Sequence, residues 1–265
     1  MAKHYALVTG ASKGIGRAVS YALAKEGYPL ILIAHTDAEG LEATAAQCRE
    51  LLRTAASGGG KLPADSGAAT QKTDAAGNAF VHTFLCDLSD PDAVRRLFAD
   101  LSARGIGHRL NHPDTIGVLV NNAGIAHFAL VQDMSDEDWR RVTGANLDSV
   151  FYTCRAVVPM MVYEQSGVIV NISSYWGEKG AAFESAYAAS KGGVNAFTRS
   201  LAEELSPSHI RVHVVSPEFV DTEMNAHLTE AERADAIAAM PSGRAFTADE
   251  IAAKVMKLIA GNQNL

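Results

Sequence analysis

Short apolar runs alternate with longer segments of helical periodicity along most of this chain. Apolar residues that recur on one face predict helices over residues 16–27, 37–52 and 91–102. Between them lie runs that are apolar almost throughout, as is typical of strands in a parallel sheet that is buried on both faces. The predicted strands are residues 5–9, 29–34, 80–86, 116–121, 167–173 and 212–216. This alternation predicts an α/β fold with a doubly wound parallel sheet of Rossmann type.

One segment interrupts the alternation. Residues 53–79 are rich in Ala, Gly, Ser and Thr, contain no aromatic residue and include Gly58-Gly59-Gly60. Such a segment buries too little apolar surface to offset the entropy of ordering it. We therefore predict a flexible surface insertion, with a dedicated binding element as the alternative. Because the alternation resumes afterwards and 265 residues suit one domain, we expect a single domain over residues 1–265.

Composition and charge narrow the classes of protein to which the chain can belong. Apolar residues make up 48% of the chain, which excludes disorder of the whole molecule. The net charge of −7, without any basic run, argues against binding nucleic acid or an anionic membrane surface. The chain has no signal-peptide pattern and no apolar stretch long enough to cross a bilayer. We therefore expect a cytoplasmic protein that makes no membrane contact.

The cysteine and histidine residues indicate neither a disulfide framework nor a metal site. Cys48, Cys86 and Cys154 are widely spaced and form no CxxC pair, so we expect reduced thiols within the core. The nine histidines show no metal-ligand spacing. His108 and His112 are four residues apart but lie in an irregular stretch. We therefore expect no metal ion.

A glycine-rich turn follows the first predicted strand directly and leads into a helix. Gly10, Gly14 and Gly16 allow the backbone to approach a pyrophosphate, which would then lie at the positive end of the helix. A phosphate-binding loop of the Walker type needs Lys and Ser or Thr after its last glycine, whereas Arg17-Ala18 follow here. The turn therefore predicts a dinucleotide site, with a purely structural turn as the alternative.

Four further motifs follow in order after this turn. They are Asp87-Leu88 after the third strand, Asn121-Asn122-Ala123-Gly124 at the end of the fourth, Ser173-Ser174 at the end of the fifth, and Tyr187-Ala188-Ala189-Ser190-Lys191. With the glycine turn, these motifs resemble the short-chain dehydrogenase/reductase family over nearly the whole chain. Residues 146–151 and 241–251 most resemble its 3-oxoacyl-carrier-protein reductases.

Reduction of a carbonyl needs a proton donor at its oxygen and polarisation of the C=O bond. Tyr187 and Lys191 are four residues apart, so on a helix they share one face and can reach the same site. The alternative is that this face is an ordinary solvated helix surface. The positive charges of Lys191 and of oxidised nicotinamide are expected to lower the pKa of Tyr187. The family resemblance implies that Tyr187 is the acid/base, that Ser174 polarises the carbonyl, that Lys191 binds the nicotinamide ribose, and that Asn146 holds a water linked to Lys191.

The resemblance also implies a cofactor site, and the residue types favour NADP(H). Ala34 stands where NAD-dependent relatives carry an Asp that repels a 2′-phosphate, and Lys13 and His35 stand where relatives place basic residues. The predicted cofactor-binding residues are Gly10, Ser12, Lys13, Gly14, Ile15, Gly16, His35, Asp87, Leu88, Asn122, Ala123, Gly124, Tyr187, Lys191, Pro217 and Thr222.

The sequence departs from the family pattern at two places. Glu218 follows Pro217 where the family has glycine, and its side chain either points away from the site or shapes the substrate entrance. Residues 261–265 lack the Asp-Gly-Gly signature of a seventh strand, so we expect six strands. Three large apolar residues are expected to border the substrate pocket, unless they serve ordinary packing: Trp176, Phe183 and Met224.

The resulting functional expectation is an NADP(H)-dependent oxidoreductase that transfers hydride between nicotinamide and a small-molecule carbonyl or alcohol. A 3-oxoacyl thioester is one candidate substrate; a pterin, a sugar or another small carbonyl compound is the alternative. A non-catalytic dinucleotide-binding regulator on the same fold is an alternative of a different class. Relatives in the family pair through the helices at 146–159 and 187–205, so we expect a homo-oligomer. Five small residues permit close approach of the helices: Ala186, Ala188, Ala189, Gly192 and Gly193. The missing seventh strand favours a dimer over a tetramer.

Overall fold

Parallel strands form the central sheet of the computed structural model, which describes residues 4–57, 81–106, 115–226 and 228–261. Within these ranges the strands are β1 (Tyr5–Thr9), β2 (Leu30–Ala34), β3 (Val81–Leu85), β4 (Ile116–Asn121), β5 (Gly167–Ile172) and β6 (Ile210–Val215). Their order is β3-β2-β1-β4-β5-β6. The carboxyl ends of β1 and β4 therefore form the topological switch point, where open α/β sheets bind ligands. The predicted Rossmann-type sheet is confirmed.

Helices cover both faces of the sheet. They are α1 (Gly14–Lys25), α2 (Ala38–Ser57), α3 (Pro91–Ala103), α4 (Asp136–Thr143), α5 (Ser149–Glu164), α6 (Trp176–Lys179), α7 (Ser185–Leu205), α8 (Glu230–Ala238) and α9 (Ala248–Ile259). On one face α1, α2 and α9 pack on the sheet, and on the other α3, α5 and α7 do so. Strand residues alternate between these two apolar clusters, and β1, β2 and β5 are buried throughout.

The three cysteines lie in these clusters, as the sequence predicted. Cys48 belongs to the cluster under α1 and α2, whereas Cys86 and Cys154 belong to the opposite cluster. Burial raises the pKa of the Cys48 and Cys154 thiols to about 12, so both stay protonated near neutral pH. They act as small apolar core residues.

The bounds of the three helices and six strands predicted from periodicity agree with the structure to within two residues, except at the end of α2. The helix expected at 146–159 is α5, which runs from Ser149 to Glu164. Helix α2 continues to Ser57, so its predicted end at residue 52 is wrong, whereas the insertion that follows it stays a prediction. Two local interactions extend the helix: Arg53 forms an ion pair with Glu50, and the Thr54 hydroxyl donates to the Leu51 carbonyl. Residues 58–79 of the predicted insertion, as well as His108 and His112, lie outside the described residues.

The small residues of α7 pack mainly inside the subunit. A β-carbon on Gly193 would come within 2.8 Å of the Leu147 side chain, and one on Gly192 would lie 3.1 Å from the Gly177 carbonyl oxygen. Ala186 is completely buried. Contacts within the chain therefore already require these three residues to be small, and the expected pairing of copies through this helix stays a prediction.

The described part of the chain contains no seventh strand, in agreement with the expectation. None of its helices is long and apolar enough to cross a bilayer.

Candidate active site

The glycine turn leaves the start of α1 open to an anion. Gly10 and Gly14 have φ angles of +63° and +54°, a region that side chains rarely adopt. A β-carbon on Gly16 would lie 2.2 Å from the Gly10 carbonyl oxygen, so only glycine fits there. No side chain caps the first N–H groups of α1, and its first turn has no acidic residue. These N–H groups can therefore bind a phosphate.

The Asn-Asn-Ala-Gly motif after β4 holds this turn in place. The Asn122 side-chain amide donates to the carbonyl oxygens of Thr9 and Gly10, both at 3.1 Å. In return, the Thr9 hydroxyl oxygen accepts from the backbone N–H groups of Asn122 and Ala123 at 2.9 and 3.0 Å. The ends of β1 and β4 are thus joined at the switch point, and the shape of the turn is fixed before any ligand binds.

Asn146 lies behind the cavity wall, in a π-helical turn at Gly144–Asp148. Its side-chain oxygen accepts from the Ile125 N–H at 2.8 Å, and its amide donates to the Ile125 carbonyl and to the Ser190 hydroxyl, each at 3.0 Å. A β-carbon on Gly124 would lie 3.0 Å from this oxygen. Asn146 therefore joins the loop after β4 to α7. That it also holds a water linked to Lys191 stays a prediction.

Lys191 is buried on α7 next to the end of β5. Its ammonium group donates to the Ile172 carbonyl oxygen at 2.9 Å and lies 5.9 Å from the centre of the Tyr187 ring. Burial lowers the pKa of Lys191 to about 8, because the charged form loses its hydration. The predicted neighbourhood of Tyr187 and Lys191 is present, and the alternative of a solvated helix face is wrong.

Tyr187 is partly buried, and this changes its acidity. Burial raises the pKa of Tyr187 to about 12, the Ser174 hydroxyl lowers it by hydrogen bonding to the phenol, and the nearby Glu184 carboxylate raises it. The expected lowering of this pKa by Lys191 together with oxidised nicotinamide stays a prediction. In the chain alone the Lys191 ammonium group is directed to the Ile172 carbonyl oxygen, and loss of hydration of the phenolate is the largest cause of the raised value.

Another part of the cavity carries two of the predicted cofactor-binding residues, His35 and Asp87. The His35 imidazole lies 3.8 Å from the Asp87 carboxylate. Asp37, which the sequence did not single out, also lines this part of the cavity. The pKa of Asp37 is lowered by the Gly40 N–H and the Ser12 hydroxyl, and further by the charge of nearby Lys13. The turn after β2 thus places a carboxylate beside Lys13.

Glu218 stands where the family has glycine, and its side chain is held by a hydrogen bond. Its carboxylate accepts from the Ser242 backbone N–H at 2.9 Å, while the residue still lines the cavity. Trp176 and Met224 line the cavity as expected. Phe183 does not line the cavity and that expectation is wrong: its backbone has a φ of +64°, and its side chain is 55% exposed.

One cavity of about 520 Å³ brings these features together. It is lined by every predicted catalytic and cofactor-binding residue except Gly16 and Asn146, which support its wall. The face that a loop residue presents depends on the tertiary structure, so sequence reasoning missed many of the lining residues, including three with carboxylates and one aromatic: Asp37, Glu184, Glu223 and Phe128. The described ranges contain no group of side chains suited to a metal ion.

Comparisons with known proteins agree with this geometry. The family model for short chain dehydrogenases matches residues 4–60 and 60–233. The 3-oxoacyl-[acyl-carrier-protein] reductase of Thermotoga maritima is 32% identical over 97% of this chain and 90% of that protein, and that of Escherichia coli K12 is 33% identical over 93% and 86%. That of Chlamydia pneumoniae is 40% identical, but over only 54% of this chain and 58% of its own length.

A solved structure shows the same fold. It is described as an NAD(P)-dependent gluconate 5-dehydrogenase from Beutenbergia cavernae with NADP bound at low occupancy, and it superposes with a TM-score of 0.78 at 28% identity. The match covers 97% of this chain and 90% of that one. Because the family model spans most of the chain and the motif residues meet at one cavity, the chain belongs to the short-chain dehydrogenase family.

Proposed function

We propose that the chain is an NADP(H)-dependent oxidoreductase that transfers hydride between nicotinamide and a carbonyl or alcohol substrate. The observation that carries the proposal is that Tyr187, Ser174 and Lys191 line the same cavity as an uncapped, glycine-lined helix start. A non-catalytic regulator would need the helix start but would have no use for a buried ammonium group beside the phenol of Tyr187.

The residues present fit the cofactor. The open N–H groups of α1 suit a pyrophosphate, and Gly10, Gly14 and Gly16 leave room for its approach. Lys13 supplies a positive charge at the turn, and Ala34 ends β2 without the carboxylate that would repel a 2′-phosphate. The NADP bound in the Beutenbergia structure supports the same choice. When bound, the nicotinamide supplies the hydride chemistry.

The chain's own residues hold the substrate oxygen and move its proton. The Ser174 and Tyr187 hydroxyl groups, which hydrogen-bond to each other, together bind the carbonyl oxygen. With its pKa raised to about 12, Tyr187 keeps its proton near neutral pH and can donate it to that oxygen. Lys191 then lies close enough to stabilise the tyrosinate that remains. This arrangement suits reduction of a carbonyl.

Two features of the surface suit a homodimer built on α5 and α7. Phe151 is partly exposed on α5 and packs edge-to-face against Phe197 of α7 at 6.3 Å, with the Arg155 guanidinium over its ring at 4.9 Å. Aromatic and arginine side chains of this kind are enriched in interfaces. We propose this face as the contact between two copies.

The variant Tyr187→Phe tests the proposed chemistry. It removes the proton-donating hydroxyl and keeps the ring, so we expect kcat for NADPH-dependent carbonyl reduction to fall at least about 100-fold while NADPH still binds. Stopped-flow kinetics and the fluorescence of bound NADPH measure the two effects. The control is Tyr21→Phe, in α1 and outside the cavity. Retention of more than about a tenth of wild-type kcat would contradict the assignment.

A further inference from the structure

Glu184 presents a carboxylate to the cavity that the mechanism does not use. It lies just before α7 begins, three residues before Tyr187, and is partly buried. Burial raises its pKa to about 7. Within the described residues, no hydrogen bond or ion pair to this carboxylate offsets that loss of hydration. It does not cap α7, although it stands at the capping position.

The backbone around Glu184 is fixed by contacts to the loop after β4. The Ala129 N–H donates to the Phe183 carbonyl oxygen at 2.8 Å, and Ala129 pairs with Glu184 in an isolated parallel bridge. Phe183 has a φ of +64°, which is unfavourable for an aromatic residue, and its side chain turns to solvent. Such strain persists where the surroundings impose it and is common at ligand sites. Here it directs the next residue, Glu184, to the cavity.

The charges around Glu184 exclude an internal partner. Lys13 and Lys191 are the only lysine or arginine residues among the described cavity-lining residues. Lys13 lies at the glycine turn, and the Lys191 ammonium group donates to a backbone carbonyl. The other carboxylate beside the substrate end, Glu218, accepts from a backbone N–H. Among the described residues, the substrate end therefore offers an unpaired hydrogen-bond acceptor, while its one lysine, Lys191, is bonded to the Ile172 carbonyl oxygen.

We propose that Glu184 is a specificity-determining residue whose carboxylate accepts a hydrogen bond from a hydroxyl or ammonium group of the substrate. This inference rests on the proposed reductase function. A donor on the substrate compensates the lost hydration of the carboxylate, whereas an analogue without the donor leaves it unpaired. A substrate carboxylate is repelled. The enzyme therefore prefers neutral or cationic carbonyl compounds that carry a donor over anionic ones.

The test compares four ketones that differ at one position: cyclohexanone, 4-hydroxycyclohexanone, 4-aminocyclohexanone and 4-oxocyclohexanecarboxylate. With NADPH and the full chain, we expect kcat/KM for the hydroxy and amino compounds to exceed that for cyclohexanone by about tenfold, through KM. Glu184→Ala removes both preferences. Glu184→Gln keeps an acceptor, so it retains the hydroxyl preference but loses the amino preference and accepts the carboxylate about tenfold better. Glu178→Gln, exposed on α6 outside the cavity, leaves every ratio unchanged.

The outcomes separate this inference from the proposed function. Turnover with ratios that Glu184→Ala leaves unchanged overturns the role of Glu184 alone. A wild-type preference for the carboxylate compound overturns it as well, and this measurement does not depend on whether the variants fold. If NADPH binds but no ketone in a broad panel is reduced, the reductase proposal fails and this inference with it.

Discussion

At the scale of single residues, the site is built from groups that are costly to bury. Burial disfavours the charged form of Lys191 and the phenolate of Tyr187, and it shifts the two pKa values in opposite directions. Both residues lie on α7, whose packing against β6 and α6 holds them in place. Such groups are kept for function and destabilise the fold.

Replacing Lys191 by Met is therefore expected to stabilise the protein while abolishing turnover. The lowering of its pKa from 10.5 to about 8 corresponds to about 3 kcal/mol of unfavourable burial. Loss of the hydrogen bond to the Ile172 carbonyl oxygen offsets about 1–2 kcal/mol of the stability gained by removing this charge. A net gain of about 1–2 kcal/mol raises the melting temperature by about 2–8 °C at pH 7.

The pH dependence of this gain has a defined sign. Between about pH 8 and 10.5 the unfolded chain keeps the Lys191 proton and the folded chain loses it, so wild-type stability rises with pH in this window. The advantage of Lys191→Met should shrink over the same window. Thermal melts of both proteins from pH 7 to 10 measure it, and a variant that is less stable at pH 7 would contradict the expectation.

At this scale, the sequence could predict those site residues that belong to a recognisable motif. The residues of the glycine turn and the group of Ser174, Tyr187 and Lys191 could be identified because their spacing carries the chemistry. Asp37 and Glu184 could not, since nothing local shows that their side chains face a cavity. The raised pKa of Tyr187 in the chain alone could not be predicted either, because loss of hydration depends on the packed structure.

At the scale of elements, the ends of helices and strands could be predicted from apolar periodicity wherever a turn-forming residue follows the apolar segment. The prediction was wrong at the end of α2, where Arg53 and Thr54 extend the helix through interactions that periodicity does not contain. The sequence identified the glycine turn before α1 as a motif but did not show which atoms are in contact there. The geometry of this contact, with Gly16 against the Gly10 carbonyl, needed the structure.

Gly16→Ala tests this contact. The new β-carbon would lie 2.2 Å from the Gly10 oxygen and 2.6 Å from the Asn122 amide, so α1 has to move away from the turn. We expect a loss of about 2–3 kcal/mol of stability and at least tenfold weaker NADPH binding. Gly14→Ala is the comparison, because it meets no atom closer than 3.4 Å and is strained only by its φ of +54°. Urea unfolding should show the smaller loss, about 1 kcal/mol, for Gly14→Ala.

At the scale of the whole molecule, the prediction of one domain with an insertion can be tested by deletion. The structure describes complete α2 and β3 elements on either side, ending at Ser57 and starting at Val81. Replacing residues 59–78 by a short Gly-Ser linker is expected to change stability by less than about 1 kcal/mol, because closure entropy varies slowly with loop length. Unfolding curves and kcat/KM measure this. Loss of cooperative folding or of activity would assign the segment a packing or binding role.

The net charge of the whole molecule also affects the preference between NADPH and NADH. With a net charge of −7, the chain repels anions in general, so a dinucleotide with an added 2′-phosphate needs local positive charge. Lys13 supplies it at the glycine turn, while Asp37, whose charge interacts with that of Lys13, opposes it. The resulting preference for NADPH over NADH is therefore a balance between two exposed groups of opposite sign.

This balance predicts opposite effects of two substitutions. Lys13→Ala should lower the ratio of kcat/KM for NADPH to that for NADH by about 5- to 30-fold, the range that a solvent-screened ion pair supports. Asp37→Asn should raise the same ratio, and the effects of both should diminish with added salt because the groups are exposed. Lys25→Ala, in the last turn of α1 and outside the cavity, is the charge-matched control. Equal kcat/KM for the two cofactors in the wild type, or an unchanged ratio in Lys13→Ala, would show that the 2′-phosphate is bound elsewhere.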